Sequence, residues 1–140
     1  MRRPSSCPAA VGADVVHVEA LAQRLAGLPG LAAALFTPAE RAGAARRARP
    51  ARALAACFAA KEAFLNALGR GLAPSGVDPW LQQVEVALEG GRPALRLSGE
   101  AAAALLRRGV AAQLALAAAG GHALATVLLV PAGAPAGRVA

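Results

Sequence analysis

The sequence predicts an α+β fold, a small antiparallel sheet packed with helices. Three observations carry that expectation. Residues 84–98 and 113–130 each read as a hairpin, because short β-prone runs flank a glycine-containing turn. Residues 51–68 repeat apolar side chains at helical spacing. The 140-residue chain has the length of one domain with one modest core, and no internal repeat or linker divides it. Residues 1–9 and 131–140, rich in Pro, Gly, Ala and Ser, are expected to be loose tails on a single domain spanning 1–140.

The elements follow in order. Val11 to Val18, "VGADVVHV", is β-branched and bounded by loop composition, so it predicts a first strand. A short helix over Glu19 to Ala26 ends near Gly27. "TPAE" at 37–40 starts the next helix: Thr37 caps, Pro38 fits the first turn, and Glu40 closes a capping box. That helix carries Arg41, Arg46 and Arg47. Pro50 resets the chain into the 51–68 helix, which Gly69 and Gly71 end. "GVDPW" at 76–80 is a turn. "VEVAL" at 84–88 and "ALRLS" at 94–98 form a hairpin around "EGGRP". Gly99 to Arg108 is helical. Gln113 to Ala117 and Ala123 to Val130 are two strands around an "AAGGH" turn. Residues 110–130 carry no formal charge and are long enough to cross a bilayer. Their alanine content and the internal Gln113, Gly120, Gly121 and His122 favour the hairpin.

Composition narrows the function classes. Fourteen arginines and one lysine against eight acids give a net charge of +7, which favours an acidic or phosphorylated partner. Aromatic residues make up only 3%, too few stacking platforms for single-stranded nucleic acid. Cys7 and Cys57 form neither a disulfide framework nor a zinc spacing, which suits a reduced, cytoplasmic protein. The basic start "MRRPSSCPAAVGAD" is broken by Pro4 and Pro8 and closed by Asp14, so no export signal is read.

Two charges stand where packing is expected. Leu54, Cys57, Phe58, Leu65 and Leu68 mark one face of the 51–68 helix, and position 61 belongs on it. Position 61 is Lys61, the single lysine, and Glu62 sits at the edge of that face. Asp14 lies in the middle of an apolar strand. A buried carboxylate must pair or bind a cation. An Asp14–Lys61 salt bridge or a solvent-facing Glu62 would explain these residues structurally. Two carboxylates with water and phosphate oxygens would also suit Mg2+.

"VGADVVHVEAL" and "LAACFAAKEAFLNALGRGL" together resemble the two signature segments of the holo-acyl-carrier-protein synthases, the small 4′-phosphopantetheinyl transferases. That pattern is a Gly-x-Asp strand followed by a Phe-x-x-Lys-Glu-Ala helix that ends in a glycine-rich turn. "LFTPAER", "EGGRPAL" and the last apolar hairpin are similar to further family segments, in order, over nearly the whole chain. The resemblance implies the phosphopantetheinyl transferase fold. It also implies Mg2+-dependent transfer of the 4′-phosphopantetheine arm from coenzyme A to a serine of an apo acyl carrier protein. Asp14 and Glu62 would bind the metal, and Glu62 would help deprotonate the serine. Lys61 would face coenzyme A phosphates as a catalytic and binding residue, and the backbone at Gly69 and Gly71 would receive phosphate. The family further implies a homotrimer with shared active sites and an acidic carrier partner.

Several positions depart from the family pattern. Cys57 and Ala20 stand where arginine is common, although Arg24 lies one turn after Ala20. Ala117 and Ala118 stand where a Ser-His pair is common, and His122 falls four residues later, beyond the turn. These losses give a second reading, in which the fold persists with lost or altered chemistry as a binding protein or as an enzyme on another intermediate.

Overall fold

The computed structural model describes residues 9–71, 77–88 and 91–133. β1 is Ala10–His17, α1 Val18–Gly27, α2 Leu31–Leu35, α3 Pro38–Ala45 and α4 Pro50–Ala67. A 3-10 turn, Pro79–Gln82, then leads to β2 Val84–Ala87 and β3 Ala94–Leu97. α5 Gly99–Arg108, β4 Val110–Ala119 and β5 His122–Pro131 complete the described chain. The α+β expectation holds, with two antiparallel sheets instead of one: β1-β5-β4 and β2-β3.

Local chemistry explains most boundaries. Thr37 and Glu40 form the expected capping box: Glu40 N donates to Thr37 Oγ1 at 3.2 Å, and Thr37 N to Glu40 Oε1 at 2.9 Å. His17 ends β1 one residue earlier than expected, because its Nδ1 accepts from Ala20 N at 3.1 Å and caps α1. Gly120 and Gly121, at φ 56° and 77°, make the two-residue turn between β4 and β5. That hairpin is longer than its apolar core suggested, with Val110 paired to Pro131. No helix among the described residues is long and apolar enough to cross a membrane. α2 was not expected; five residues are too few to show helical periodicity.

The tail boundaries also shift. Ala9 N donates to Leu129 O at 2.7 Å, and Pro131 belongs to β5. Residues 1–8 and 134–140 of the expected tails, Gly76 of the expected turn, and residues 89–90 of the first hairpin lie outside the described residues.

α4 is the central element. The sequence suggested a one-sided amphipathic helix, but residues 59–65 are all buried, so this stretch is covered on every side. β1 and β5 pack against one side, and α1, α3 and β2 against the rest. Ala59, Ala60, Ala63 and Ala67 keep the helix narrow enough for that. Along β1, Gly12, Asp14 and Val16 face inward and Val11, Ala13, Val15 and His17 face outward, the period-two alternation of a strand. Gly12 permits the contact. A Cβ there would lie 2.0 Å from Ala63 O and 2.4 Å from Ala67 N. Both are backbone atoms of α4 and cannot rotate away.

Gly12→Ala should therefore push β1 off α4. The expected loss is about 2–3 kcal/mol or more in urea denaturation, or failure to fold. A variant as stable as the parent would refute this account of the strand–helix contact.

Candidate active site

Gly12 brings β1 onto α4, and the next inward residue is Asp14. Asp14 and Glu62 line one cleft of about 320 Å3, together with His17, Ala20, Arg24 and Phe58. The sequence placed these carboxylates 48 positions apart; the fold brings them to one site. Glu62 is 4% exposed, which removes the solvent-facing alternative. Its Oε1 is buried without a hydrogen-bond partner. Burial, and after it the nearby charges of Asp14 and Asp78, together push the Glu62 carboxyl up to about 7. Partial burial also raises Asp14, against a hydrogen bond from the Val15 backbone that lowers it. Two acids facing one cleft, one with an orphaned oxygen, form an electrostatic deficit that a cation would relieve.

The donor set fits a hard dication with few protein ligands. No cluster of three or more His, Cys, Asp or Glu side chains suited to a metal occurs among the described residues. That leaves two carboxylates. Mg2+ commonly binds through one or two carboxylates and completes its shell with water and phosphate oxygens.

Lys61 corrects the sequence expectation. Its side chain has no exposure and points away from the cleft. Nζ pairs with Glu40 Oε1 at 2.5 Å and donates to Leu81 O at 2.6 Å and Leu35 O at 2.9 Å. Three acceptors use the three ammonium protons, and none remains for a phosphate. The alternative Asp14–Lys61 bridge is replaced by Lys61–Glu40. Burial lowers the lysine's affinity for its proton, and Glu40 opposes that effect. Glu40 Oε2 also accepts from Val86 N at 2.8 Å, so the pair joins α4 to α3 and β2.

Gly69 is also corrected. Its φ of +72° ends α4, but its N–H already bonds Asn66 O at 3.0 Å. It lines a separate cleft with Arg70, Trp80, Arg107 and Arg108. Gly71 is exposed, outside the Asp14–Glu62 cleft. Cys57 is 2% exposed, and burial pushes its thiol up to about 12, consistent with a packed, unreactive side chain. Ala117 and Ala118 line a broad cleft of about 560 Å3 with Arg47, Arg49 and Arg52. His122 packs edge-on to His17 at 4.9 Å.

Sequence reasoning missed a second charged pair near the site. Arg70 Nε and Nη2 donate to Asp78 at 2.8 and 3.1 Å, and the guanidinium lies 4.2 Å from the Trp80 ring centroid. These hydrogen bonds hold the Asp78 carboxyl below the usual carboxylate range. In sequence "GRG" and "VDPW" signal only chain turns, and no helical or strand periodicity links residues 70 and 78.

Known proteins resemble the chain over most of its length. A sequence model described as the 4′-phosphopantetheinyl transferase superfamily matches residues 10–127. A holo-[acyl-carrier-protein] synthase of Frankia alni is 48% identical over 119 residues, covering 84% of this chain and 93% of that protein. One from Anaeromyxobacter dehalogenans is 47% identical over 124 residues, covering 85% and 93%. Among solved structures, the ACPS–CoA complex of Chronobacterium ammoniagenes superposes with a TM-score of 0.73 at 32% identity. It covers 87% of this chain and 96% of that one.

Two outcomes test the site. Lys61→Ala leaves Glu40 buried and unpaired, so it should cost about 3–5 kcal/mol in chemical denaturation. Glu62 gives a pH signature. Its folded value of about 7 exceeds the ordinary 4.5, so the native state holds the proton more tightly. Its stabilising contribution is complete below pH 4.5 and is lost as pH rises through about 7. Without divalent cations, Glu62→Gln should abolish that fall and exceed the parent at pH 8 by about 1–3 kcal/mol. Equal stabilities across that range would contradict the buried-carboxylate account.

Proposed function

Because the chain belongs to the 4′-phosphopantetheinyl transferase superfamily, we propose that it is a holo-acyl-carrier-protein synthase. It transfers the 4′-phosphopantetheine arm of coenzyme A to a serine hydroxyl of an apo acyl carrier protein. The observation that carries this reading is the buried Glu62 carboxylate, with an unpartnered oxygen, in one cleft with Asp14. The relatives that cover most of this chain are synthases of that name.

Asp14 and Glu62 would hold Mg2+. When bound, the ion would offset the negative charge of the coenzyme A diphosphate. The serine oxygen forms a bond to the β-phosphorus, the bond from that phosphorus to the leaving phosphate oxygen breaks, and adenosine 3′,5′-bisphosphate departs. The serine proton passes to Glu62, directly or through water. Lys61 acts from behind, fixing the helix that presents Glu62. Arg47, Arg49 and Arg52 around Ala117 and Ala118 supply cations where the usual Ser-His pair is absent. This supports a working transferase over a fold retained with lost chemistry.

Arg24 lies in the Asp14–Glu62 cleft, and the chain carries a net +7. Both support an acidic carrier protein as the docking partner. A homotrimer is supported by the outer face of the β1-β5-β4 sheet. There Val11 and Val15 are 56% and 57% exposed, beside the apolar outer residues of β4 and β5. The buried free thiol of Cys57 suits a reducing compartment and supports a cytoplasmic location. The 140 residues are read as a single domain of this type.

Mass spectrometry of an apo carrier protein incubated with coenzyme A and Mg2+ tests the reaction. The parent should add the phosphopantetheine mass; Asp14→Asn and Glu62→Gln should each lose about a hundredfold or more in rate while remaining folded. No mass shift with the parent at high enzyme concentration would reject the transferase. Light scattering should return three times the chain mass, and Val15→Glu should lower it. A monomeric parent at micromolar concentration would remove the shared-site assembly.

A further inference from the structure

β1 lies at the edge of its sheet, with β5 on one side only. Val18 N donates to Gly121 O, so even-numbered residues of β1 direct their backbone groups toward β5. Odd-numbered residues direct theirs to the open edge. The carbonyl of Ala13 is one of these, and a side chain of α4 reaches it: Asn66 Nδ2 donates to Ala13 O at 3.0 Å. Asn66 is exposed, alone in the otherwise buried run 59–68. It stands one helical turn after Glu62 and on the same side of α4.

We propose that Asn66 is a positioning residue for the carboxylate pair. Ala13 O and Asp14 N belong to one planar peptide unit. Gripping that oxygen fixes the plane from which the Asp14 side chain departs. α4 thus controls both acids, Glu62 directly and Asp14 through the Ala13 carbonyl. Gly12 sets how closely the strand approaches, and Asn66 sets its rotation and its position along the helix. The bond is not required for solvation, because water would satisfy an exposed edge carbonyl. Its contribution is therefore to the geometry of Asp14 against Glu62 and hence to divalent-cation affinity, more than to stability.

This inference rests on the metal reading above, and the experiment separates the two. Mg2+ binding to the intact, substrate-free protein is measured by calorimetry, with thermal unfolding alongside. Asn66→Leu keeps the size and removes the donor without adding charge. It should weaken Mg2+ binding about tenfold, as loss of an outer contact to a metal ligand does, and shift Tm by no more than about 2 °C. Asn66→Gln retains the amide donor and should recover affinity to within about threefold of the parent. Affinity within twofold of the parent in Asn66→Leu would overturn the inference and leave the metal site standing. So would a fall in Tm large enough to account for the loss of affinity, since Asn66 would then be structural. A parent that takes up no Mg2+ would overturn the metal reading, and the positioning role with it.

Discussion

The buried ammonium of Lys61 holds together the segments on which the rest of the structure depends. It lies on α4 and bonds Glu40 of α3, the carbonyl that ends α2 at Leu35, and the carbonyl of Leu81 in the 3-10 turn. Glu40 extends the network to Val86 of β2 and to Thr37, whose hydroxyl donates to Glu85 at 2.7 Å. Segments distant along the chain thus converge on one charge pair that water does not reach. Such a pair is costly to bury and costly to break, so it stabilises one arrangement strongly against alternatives in which either partner is left alone. It also explains why the only lysine stands among fourteen arginines. A compact ammonium with three donors suits three converging acceptors; a planar guanidinium with five does not.

This network separates two tasks that the adjacent residues Lys61 and Glu62 first seemed to share. Adjacent helical positions point about 100° apart, so one side chain can enter the protein interior while the next enters the cleft. Lys61 joins the α2–α3–β2 side. Glu62 turns toward β1 and Asp14. Glu62 can keep an unpartnered oxygen because α4 is clamped from behind by Lys61 and from the front by Gly12 against Ala63 and Ala67. A mobile helix would let that carboxylate escape to water, and its affinity for the proton would return to the ordinary range.

Much of the fold was legible in the sequence, because it rests on local rules. The capping box at Thr37 and Glu40, Pro50 at the start of α4, and the Gly120–Gly121 turn each declare themselves within a few residues. The Gly-x-Asp and Lys-Glu patterns brought Asp14 and Glu62 forward as a pair, and the cleft contains both. The failures are non-local except at Gly69, whose N–H bonds Asn66 O three residues back. In sequence Glu40 signals a cap, and nothing near it announces a second bond to a lysine 21 positions later. The glycine-rich turn suggests a free Gly69 amide for phosphate, but the α4 C-terminus already uses it. Arg70 and Asp78 looked like turn residues until the fold placed the guanidinium on that carboxylate. Asn66 is a single polar side chain on a helix, and its meaning depends on which edge of β1 faces it.

The departures from the family pattern acquire a physical shape from the same arrangement. An arginine at position 57 would extend into a cleft of about 250 Å3 that Cys57 lines with Glu40, Arg47 and Glu85; the short thiol leaves that space unfilled beside the Lys61–Glu40 pair. The cations have not vanished from the neighbouring groove. Arg47, Arg49 and Arg52 cluster at the start of α4 beside Ala117 and Ala118. A phosphate site depends on the sum of nearby positive charge and donors more than on which position supplies them, provided the donors converge. The rules for the two ends of α4 therefore differ. Around Glu62 the geometry is tightly constrained, with Gly12, Asp14 and Lys61 each set by a specific contact. At the arginine-lined end three guanidinium groups share the positive charge, so a change at one position leaves the rest of that charge in place.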